Sequence, residues 1–177
     1  STTLSTTVTG LTNGTNYTFR ISATSAAGIG NLSDTVSATP VTVPGQPTGL
    51  TATPGSTQVA LTWVTPTDTG GSAIIDYTVE YSTDGSTWTP FADGTSTAVS
   101  ATVTGLANGT SYTFRISAIS AVGTGNFSET VSATPATVPG QATGLTATPG
   151  NAQVALVWVA PTDTGSSPIT DYTIEYS

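Results

Sequence analysis

Hydrophobic and polar residues alternate along most of this chain. The clearest runs are QVALTWV at 58–64, IDYTVEYS at 75–82, SATVTGL at 100–106 and SYTFRISA at 111–118. Successive side chains of a β-strand point to opposite faces of its sheet, so this pattern predicts strands with one buried and one solvated face. Helical spacing of apolar residues is not found. The pattern therefore predicts an all-β chain.

The same runs predict which side chains form the core. The residues predicted to face inward are Val59, Leu61, Trp63, Tyr77, Val79, Tyr81, Tyr112, Phe114, Ile116 and Ala118. Shorter strands are predicted at 49–53, 87–91 and 129–134, and the segments between strands, including VGTGN at 122–126, are rich in turn formers. Seven short strands separated by turns predict an antiparallel sandwich of two sheets.

The sequence also repeats itself with a period of 95 residues. Residues 1–82 align without gaps with residues 96–177 and are identical at 62 of the 82 positions. Proline-rich linkers at 38–47 and 133–142 predict the boundaries, because proline stiffens a chain and withholds a ladder donor. We predict the second half of one unit at 1–40, a complete unit at 41–135 and the first half of another at 136–177.

The two outer segments together lack only the counterpart of 83–95. Copies of a chain that really ended at these positions would be expected to complete one another head to tail. The expectation that we favour is that these residues are part of a longer array, because half-domains rarely persist alone.

The order and spacing of the motifs resemble a fibronectin type III module. The residues that carry the resemblance are PGQPTGLTAT, VALTWVTP, IDYTVEYS and TVTGLANGTSYTFRI, in that order. The resemblance implies a seven-stranded immunoglobulin-like sandwich in tandem copies, with chain termini at opposite ends of each module. It also implies that Leu106 and Tyr112 form the family's tyrosine corner. The Thr-rich, cysteine-free composition is similar to that of modules from bacterial extracellular proteins.

Composition and charge exclude several classes of function. Only 7% of the residues are charged, the net charge is −8, and the only cations are Arg20 and Arg115. Such a chain cannot neutralise a run of phosphates, so we predict no nucleic-acid binding and no docking to anionic membranes. It has no cysteine or histidine and no apolar run of membrane-spanning length. We expect no metal, no cofactor and no membrane insertion of this segment.

Carboxylates are the remaining candidates for catalysis. Asp76 and Glu80 lie four residues apart on one predicted strand and are expected to point outward into water. A general acid needs a shielded environment to shift its pKa, so we predict no catalytic residues and no enzyme activity. The acidic stretches at 66–72 and 82–87 lack the dense oxygen ligands of a calcium site and are interpreted as turns.

Two further residues are candidates for binding. The resemblance implies that the strand of Arg115 lies beside that of Glu80, which predicts a cross-strand ion pair. Trp88 is the candidate ligand-binding residue, because an exposed indole can stack on a sugar ring or anchor a protein interface. The alternative is that Trp88 or Phe91 folds over the sheet edge as minor core.

The function predicted from these features is non-catalytic. We expect a structural or adhesive segment of an extracellular or cell-surface protein, acting as a rod-like spacer or filament building block. Its expected partners are neighbouring copies or modules of the same protein, and cell-surface proteins or polysaccharide. The alternatives are an accessory spacer in a secreted polysaccharide-degrading enzyme, and a module that itself binds a receptor or sugar.

Overall fold

The structure is a computed structural model that describes residues 3–177, and this part of the chain is all β, without helix. We call residues 1–40 the leading segment, 41–135 the middle unit and 136–177 the trailing segment. In chain order the strands are β1 (Tyr17–Phe19), β2 (Thr24–Ser25), β3 (Gly28–Ile29), β4 (Val36–Ala38), β5 (Thr48–Gly55), β6 (Gln58–Val64), β7 (Ile74–Ser82), β8 (Thr89–Phe91), β9 (Ser100–Thr104), β10 (Tyr112–Ser120), β11 (Gly123–Phe127), β12 (Val131–Ala133), β13 (Thr143–Gly150) and β14 (Gln153–Val159).

The middle unit is a sandwich of two antiparallel sheets. One sheet has the order β5-β6-β9, and the other has the order β11-β10-β7-β8 with β12 also paired to β10. All of these pairings are antiparallel. The predicted all-β sandwich is confirmed.

The core lies between the two sheets and is filled from the alternating positions. The buried residues are Val59, Leu61, Trp63, Tyr77, Val79, Val103, Leu106, Tyr112, Phe114, Ile116 and Ala118. The rings of Trp63 and Tyr77 meet edge to face across the sandwich, with centroids 5.3 Å apart. Of the residues predicted to face inward, only Tyr81 is not fully buried, and it packs against the edge of this cluster.

A tyrosine corner closes the connection between β9 and β10. The hydroxyl oxygen of Tyr112 accepts a hydrogen bond from the backbone N–H of Ala107 at 3.1 Å. The hydroxyl of Tyr17, 95 residues earlier, accepts one from Thr12 at 3.0 Å, and this bond holds the pKa of Tyr17 below its usual value. The corner expected from the resemblance is therefore present in both copies.

The last strand of the middle unit differs from the prediction. Most of the predicted turn at 122–126 instead belongs to β11 (Gly123–Phe127), which pairs with the second half of β10. The predicted strand at 129–134 is reduced to β12. Between β11 and β12 the hydroxyl of Ser128, instead of a carbonyl, accepts the Ile116 N–H at 3.1 Å. Two glycines made this stretch resemble a turn, but the length of β10 provides a partner for it.

The repeat of the sequence is also a repeat of strand register. Thr48 pairs with Val64 at one end of β5 and β6, and Thr143 pairs with Val159 at the same place in β13 and β14. The β1–β4 pairing likewise reproduces the β10–β12 pairing. The unit boundaries after residues 40 and 135 stay a prediction.

Candidate functional site

Trp88, the predicted ligand-binding residue, lies immediately before β8 and is half-buried. The guanidinium carbon of Arg115 lies 4.0 Å from the centroid of its indole ring. The same guanidinium lies 3.9 Å from the centroid of the Phe127 ring on β11. Arg115 is thus held between two aromatic rings on the outer face of the β11-β10-β7-β8 sheet.

Glu80 on β7 also contacts Arg115. We call Trp88, Arg115, Phe127 and Glu80 the outer-face cluster. Arg115 lies directly opposite Glu80 in the register of β10 and β7. Its Nη2 and Nε atoms lie 2.7 Å and 2.8 Å from the same carboxylate oxygen, Oε2. The predicted cross-strand ion pair is confirmed, and the side chains are only 25% and 17% exposed. The pair is therefore less solvated than a typical surface salt bridge.

The cluster limits what Trp88 can bind. Stacking on a sugar ring requires a free aromatic face, and the guanidinium already occupies one face of the indole. Binding by Trp88 therefore stays a prediction that rests on the part of the indole that Arg115 leaves uncovered.

The candidate catalytic carboxylates are occupied by structural contacts. Asp76 and Glu80 are on the outer face, as predicted, but both are half-buried rather than fully solvated. Asp76 accepts a hydrogen bond from the Ser96 N–H at 3.0 Å. Burial raises the pKa of the nearby Asp93, and the negative charge of Asp76 adds to that effect. Asp76 is thus engaged in a hydrogen bond and Glu80 in the ion pair with Arg115.

The two acidic turns use their carboxylates to bind backbone. The Asp84 carboxylate accepts hydrogen bonds from the N–H groups of Thr87 (2.7 Å) and Ser86 (2.8 Å) and from the Ser82 hydroxyl (2.9 Å). These bonds hold the pKa of Asp84 well below its usual range. Asp68 accepts the Gly70 N–H at 2.8 Å in the other turn. Within residues 3–177, no cluster of three or more acidic, histidine or cysteine side chains could hold a metal ion.

The chain arrives at one end of the middle unit, where the loop 65–73 follows β6. The Thr42 N–H donates to the Gly70 carbonyl at 2.9 Å, and the Gly45 N–H donates to the Asp68 carbonyl at 2.8 Å. Pro44 is fully buried under β11, so close that a Cβ added to Gly125 would collide with the Pro44 carbonyl. We call this the incoming end of the unit.

The chain leaves at the opposite end, beside the turn that joins β5 to β6. The Gly109 N–H donates to the Pro135 carbonyl at 2.8 Å, and the Ala136 N–H donates to the Gly55 carbonyl at 3.2 Å. Strand β6 begins beside this outgoing end and finishes at the loop 65–73 of the incoming end. The points at which the chain enters and leaves the middle unit are therefore separated by the whole length of the sandwich.

Sequence reasoning paired Arg115 with Glu80 and named Trp88 separately, but it did not bring Trp88 to Arg115 and did not find Phe127. No local sequence pattern marks Phe127 as part of this group, because its place opposite Ser117 follows from the register of β10 and β11. Within residues 3–177, no helix has the length and hydropathy needed to cross a bilayer.

Comparison with known proteins agrees with this architecture. The sequence profile of the fibronectin type III domain matches residues 45–134. Chitinase A1 of Niallia circulans is 38% identical over 128 residues, which are 66% of this chain and 17% of that protein. The striated-muscle M-protein of Gallus gallus is 31% identical over 179 residues, 94% of this chain and 12% of that protein. The chain thus spans less than a fifth of either relative, and relatives from a bacterium and a bird do not single out the bacterial extracellular class.

Solved structures show the same fold. Domains A168–A170 of titin superpose with a TM-score of 0.50 at 29% identity, over 60% of this chain and 38% of that one. Domains d3–d4 of the rat CD45 extracellular region superpose with a TM-score of 0.56, over 75% of this chain and 70% of that one. The second pair is only 19% identical and shows likeness of fold alone. The matched profile covers just over half of the chain, including every strand of the middle unit, and the protein belongs to the fibronectin type III domain family.

Proposed function

We propose that this chain is a non-catalytic spacer, a segment of a rod built from tandem units, in an extracellular or cell-surface protein. The observation that carries the proposal is the position of the linkers, which are bonded to opposite ends of the middle unit through Gly70 and Gly109. Units joined in this way add their lengths. The nine-residue strands β7 and β10 imply roughly 30 Å of sandwich per unit at about 3.3 Å per residue.

The relatives support a spacer role. The titin domains and the M-protein are both similar to this chain over more than half of its length. Asp68 and Asp84 bind backbone N–H groups in turns, and Asp76 accepts a hydrogen bond from Ser96. Glu80 and Arg115 pair with each other in the outer-face cluster. The proposal therefore assigns the function to the fold itself rather than to a reactive group.

Small-angle X-ray scattering from the 177-residue protein tests the proposal. A compact globule of this size has a radius of gyration of about 16 Å. We expect a value above about 20 Å, with a pair-distance distribution typical of a rod, because the units lie in series. A radius near that of the globule would contradict the spacer function.

The extracellular, adhesive and filament-forming parts of the proposal concern the whole protein. They are supported by the Thr- and Ser-rich composition with few charges, which suits an array whose neighbours are further copies of the same module. Antibody labelling of intact source cells, compared with permeabilised cells, is expected to detect this segment at the surface. Labelling only after permeabilisation would contradict the localisation.

The similarity to chitinase A1 favours a second candidate, an accessory spacer in a secreted polysaccharide-degrading enzyme. In that case Trp88 is the residue expected to contact polysaccharide. Sedimentation with insoluble chitin would then be reduced by Trp88→Ala and unchanged by Tyr176→Ala, which removes an aromatic ring that is 98% exposed. Equal sedimentation of the unaltered protein and Trp88→Ala would remove the sugar-binding role of Trp88.

A further inference from the structure

We propose that successive units interlock: the loop 105–111 of one unit packs against the loop 65–73 of the next and fixes their relative orientation. The partner of each unit end is therefore another unit of the same repeat. This inference rests on the proposed tandem-spacer function and adds that the joints of the rod are rigid.

The first junction brings two glycines of neighbouring units into backbone contact. Gly14 of the leading segment occupies the position equivalent to Gly109, and it lies against Gly71 in the loop 65–73 of the middle unit. A Cβ added to Gly71 would lie 2.6 Å from the Cα of Gly14, and a Cβ added to Gly14 would lie 3.1 Å from the Cα of Gly71. Such a close approach is possible because neither residue has a side chain.

The second junction repeats this contact 95 residues later. Gly109 of the middle unit lies against Ser166, the counterpart of Gly71 in the trailing segment. A Cβ added to Gly109 would lie 3.1 Å from the Cβ and from the Oγ of Ser166. The contact therefore accepts a small side chain on the following unit, while glycine is kept on the preceding one.

The linker between the two loops is bonded on both sides at both junctions. On the preceding unit, Gly14 and Gly109 donate to the carbonyls of Pro40 and Pro135 at 2.9 and 2.8 Å. On the following unit, two hydrogen bonds between linker and loop are found at the first junction and recur at the equivalent residues of the second. The bonds are Thr42 N–H to Gly70 at 2.9 Å, Gly45 N–H to Asp68 at 2.8 Å, Thr137 N–H to Gly165 at 2.9 Å and Gly140 N–H to Asp163 at 2.8 Å.

The receiving loop is itself held in one conformation. The Asp68 carboxylate accepts the Gly70 N–H at 2.8 Å, and the Asp163 carboxylate accepts the Gly165 N–H at the same distance. Gly70 and Gly165 have φ values of +67° and +71°, a region that favours glycine. A loop preorganised in this way presents the same carbonyls to every linker, so each joint of an array repeats the same angle.

Hydrogen exchange at single amides of the 177-residue protein tests the interlock. We expect the amides of Gly14, Thr42, Gly109 and Thr137 to exchange at least about tenfold more slowly than the amides of exposed turns, because each takes part in a hydrogen bond between a linker and the loop that flanks it. In Gly71→Asn we expect Gly14 and Thr42 to lose this protection. Asparagine tolerates a positive φ, so the substitution adds bulk to the contact with little backbone strain.

The chain offers two matched controls. Gly105 has nearly the same φ as Gly71, +77° against +78°, but a Cβ there meets no atom within 4 Å, so Gly105→Asn is expected to leave both linkers protected. The second junction is unaltered in Gly71→Asn, so Gly109 and Thr137 are expected to stay protected. If Gly71→Asn also exposes the core amides of Val79 and Phe114, Gly14→Asn tests the contact from the leading segment without altering the middle unit.

The results separate the interlock from the spacer function. Linker amides that exchange as fast as exposed turns, or that keep their protection in Gly71→Asn and Gly14→Asn, would overturn the interlock. An elongated particle with unprotected linkers would leave the spacer proposal intact and reject rigid joints. A compact particle with protected linkers would reject the spacer and retain the contact between the loops.

Discussion

Arg115 holds three elements of the outer sheet face together. It donates to Glu80 on β7, and its guanidinium stacks between Trp88, which precedes β8, and Phe127 on β11. Cation–π contacts contribute about 0.5–2 kcal/mol according to how far the cation is desolvated. The two rings shield the ion pair from water, and the lower local dielectric strengthens the attraction between its charges.

We expect Arg115→Met to lower the free energy of unfolding of the middle unit by about 1–2 kcal/mol. Methionine keeps the apolar stem but removes the cation, so Glu80 is left half-buried without its partner and both rings lose the guanidinium. Urea denaturation followed by tryptophan fluorescence measures this change.

Arg20→Met is the matched control for Arg115→Met. Arg20 is the counterpart of Arg115 in the leading segment, but it is exposed and Leu32 stands at the position equivalent to Phe127. A surface substitution of this kind is expected to change stability by less than about 0.5 kcal/mol. Equal effects of the two substitutions would mean that the outer-face cluster contributes nothing specific.

At the scale of elements, identical local sequences give strands of different length. The segment YTFRISA occurs at 17–23 and at 112–118. In the leading segment it forms the three-residue strand β1, and in the middle unit it forms the nine-residue strand β10. The difference is that β10 is paired along its length with β7, and the leading segment contains no counterpart of β7.

The two copies of YTFRISA separate the features of the fold that the sequence predicts from those that depend on neighbouring strands. Alternation predicts which face of a strand is buried, and it correctly placed Trp63 and Phe114 in the core. It does not determine where a strand ends or which turn becomes a strand, because those depend on partners. Gly71 was interpreted only as part of the turn at 66–72 and Gly14 was not singled out, since a contact between residues of different units leaves no local pattern.

The tyrosine corner is the element whose contribution can be measured most directly. Tyr112→Phe removes the acceptor for the Ala107 N–H and leaves the ring in place. We expect a loss of roughly 1 kcal/mol in the free energy of unfolding, the usual net contribution of one hydrogen bond. Tyr81→Phe is the control, because the Tyr81 ring packs on Tyr112 while its hydroxyl makes no hydrogen bond among the described residues. A Tyr112→Phe protein as stable as the control would show that packing alone holds the corner.

At the scale of the whole molecule, the middle unit and the trailing segment carry nearly the same sequence in different surroundings. DYTVEYS at 76–82 belongs to β7, where Tyr77 is 4% exposed. DYTIEYS at 171–177 forms no strand, and Tyr172 and Tyr176 are 37% and 98% exposed. The second sheet that covers the core in the middle unit has no counterpart against β13 and β14 within these residues.

Limited digestion with chymotrypsin exploits this internal comparison. We expect cleavage after Tyr172 and Tyr176 to be at least about a hundredfold faster than after Tyr77 and Tyr81, because a protease cuts backbone that is not held in a ladder. Adding a copy of residues 83–135 after Ser177 supplies the counterparts of β8 to β12 and is expected to slow cleavage at the trailing tyrosines to the rate of the middle unit. Digestion monitored by intact mass measures both rates in one sample. If the extended chain is still cut rapidly at Tyr172, the 95-residue repeat is not the unit that folds, and a rod of such repeats would lose its structural basis.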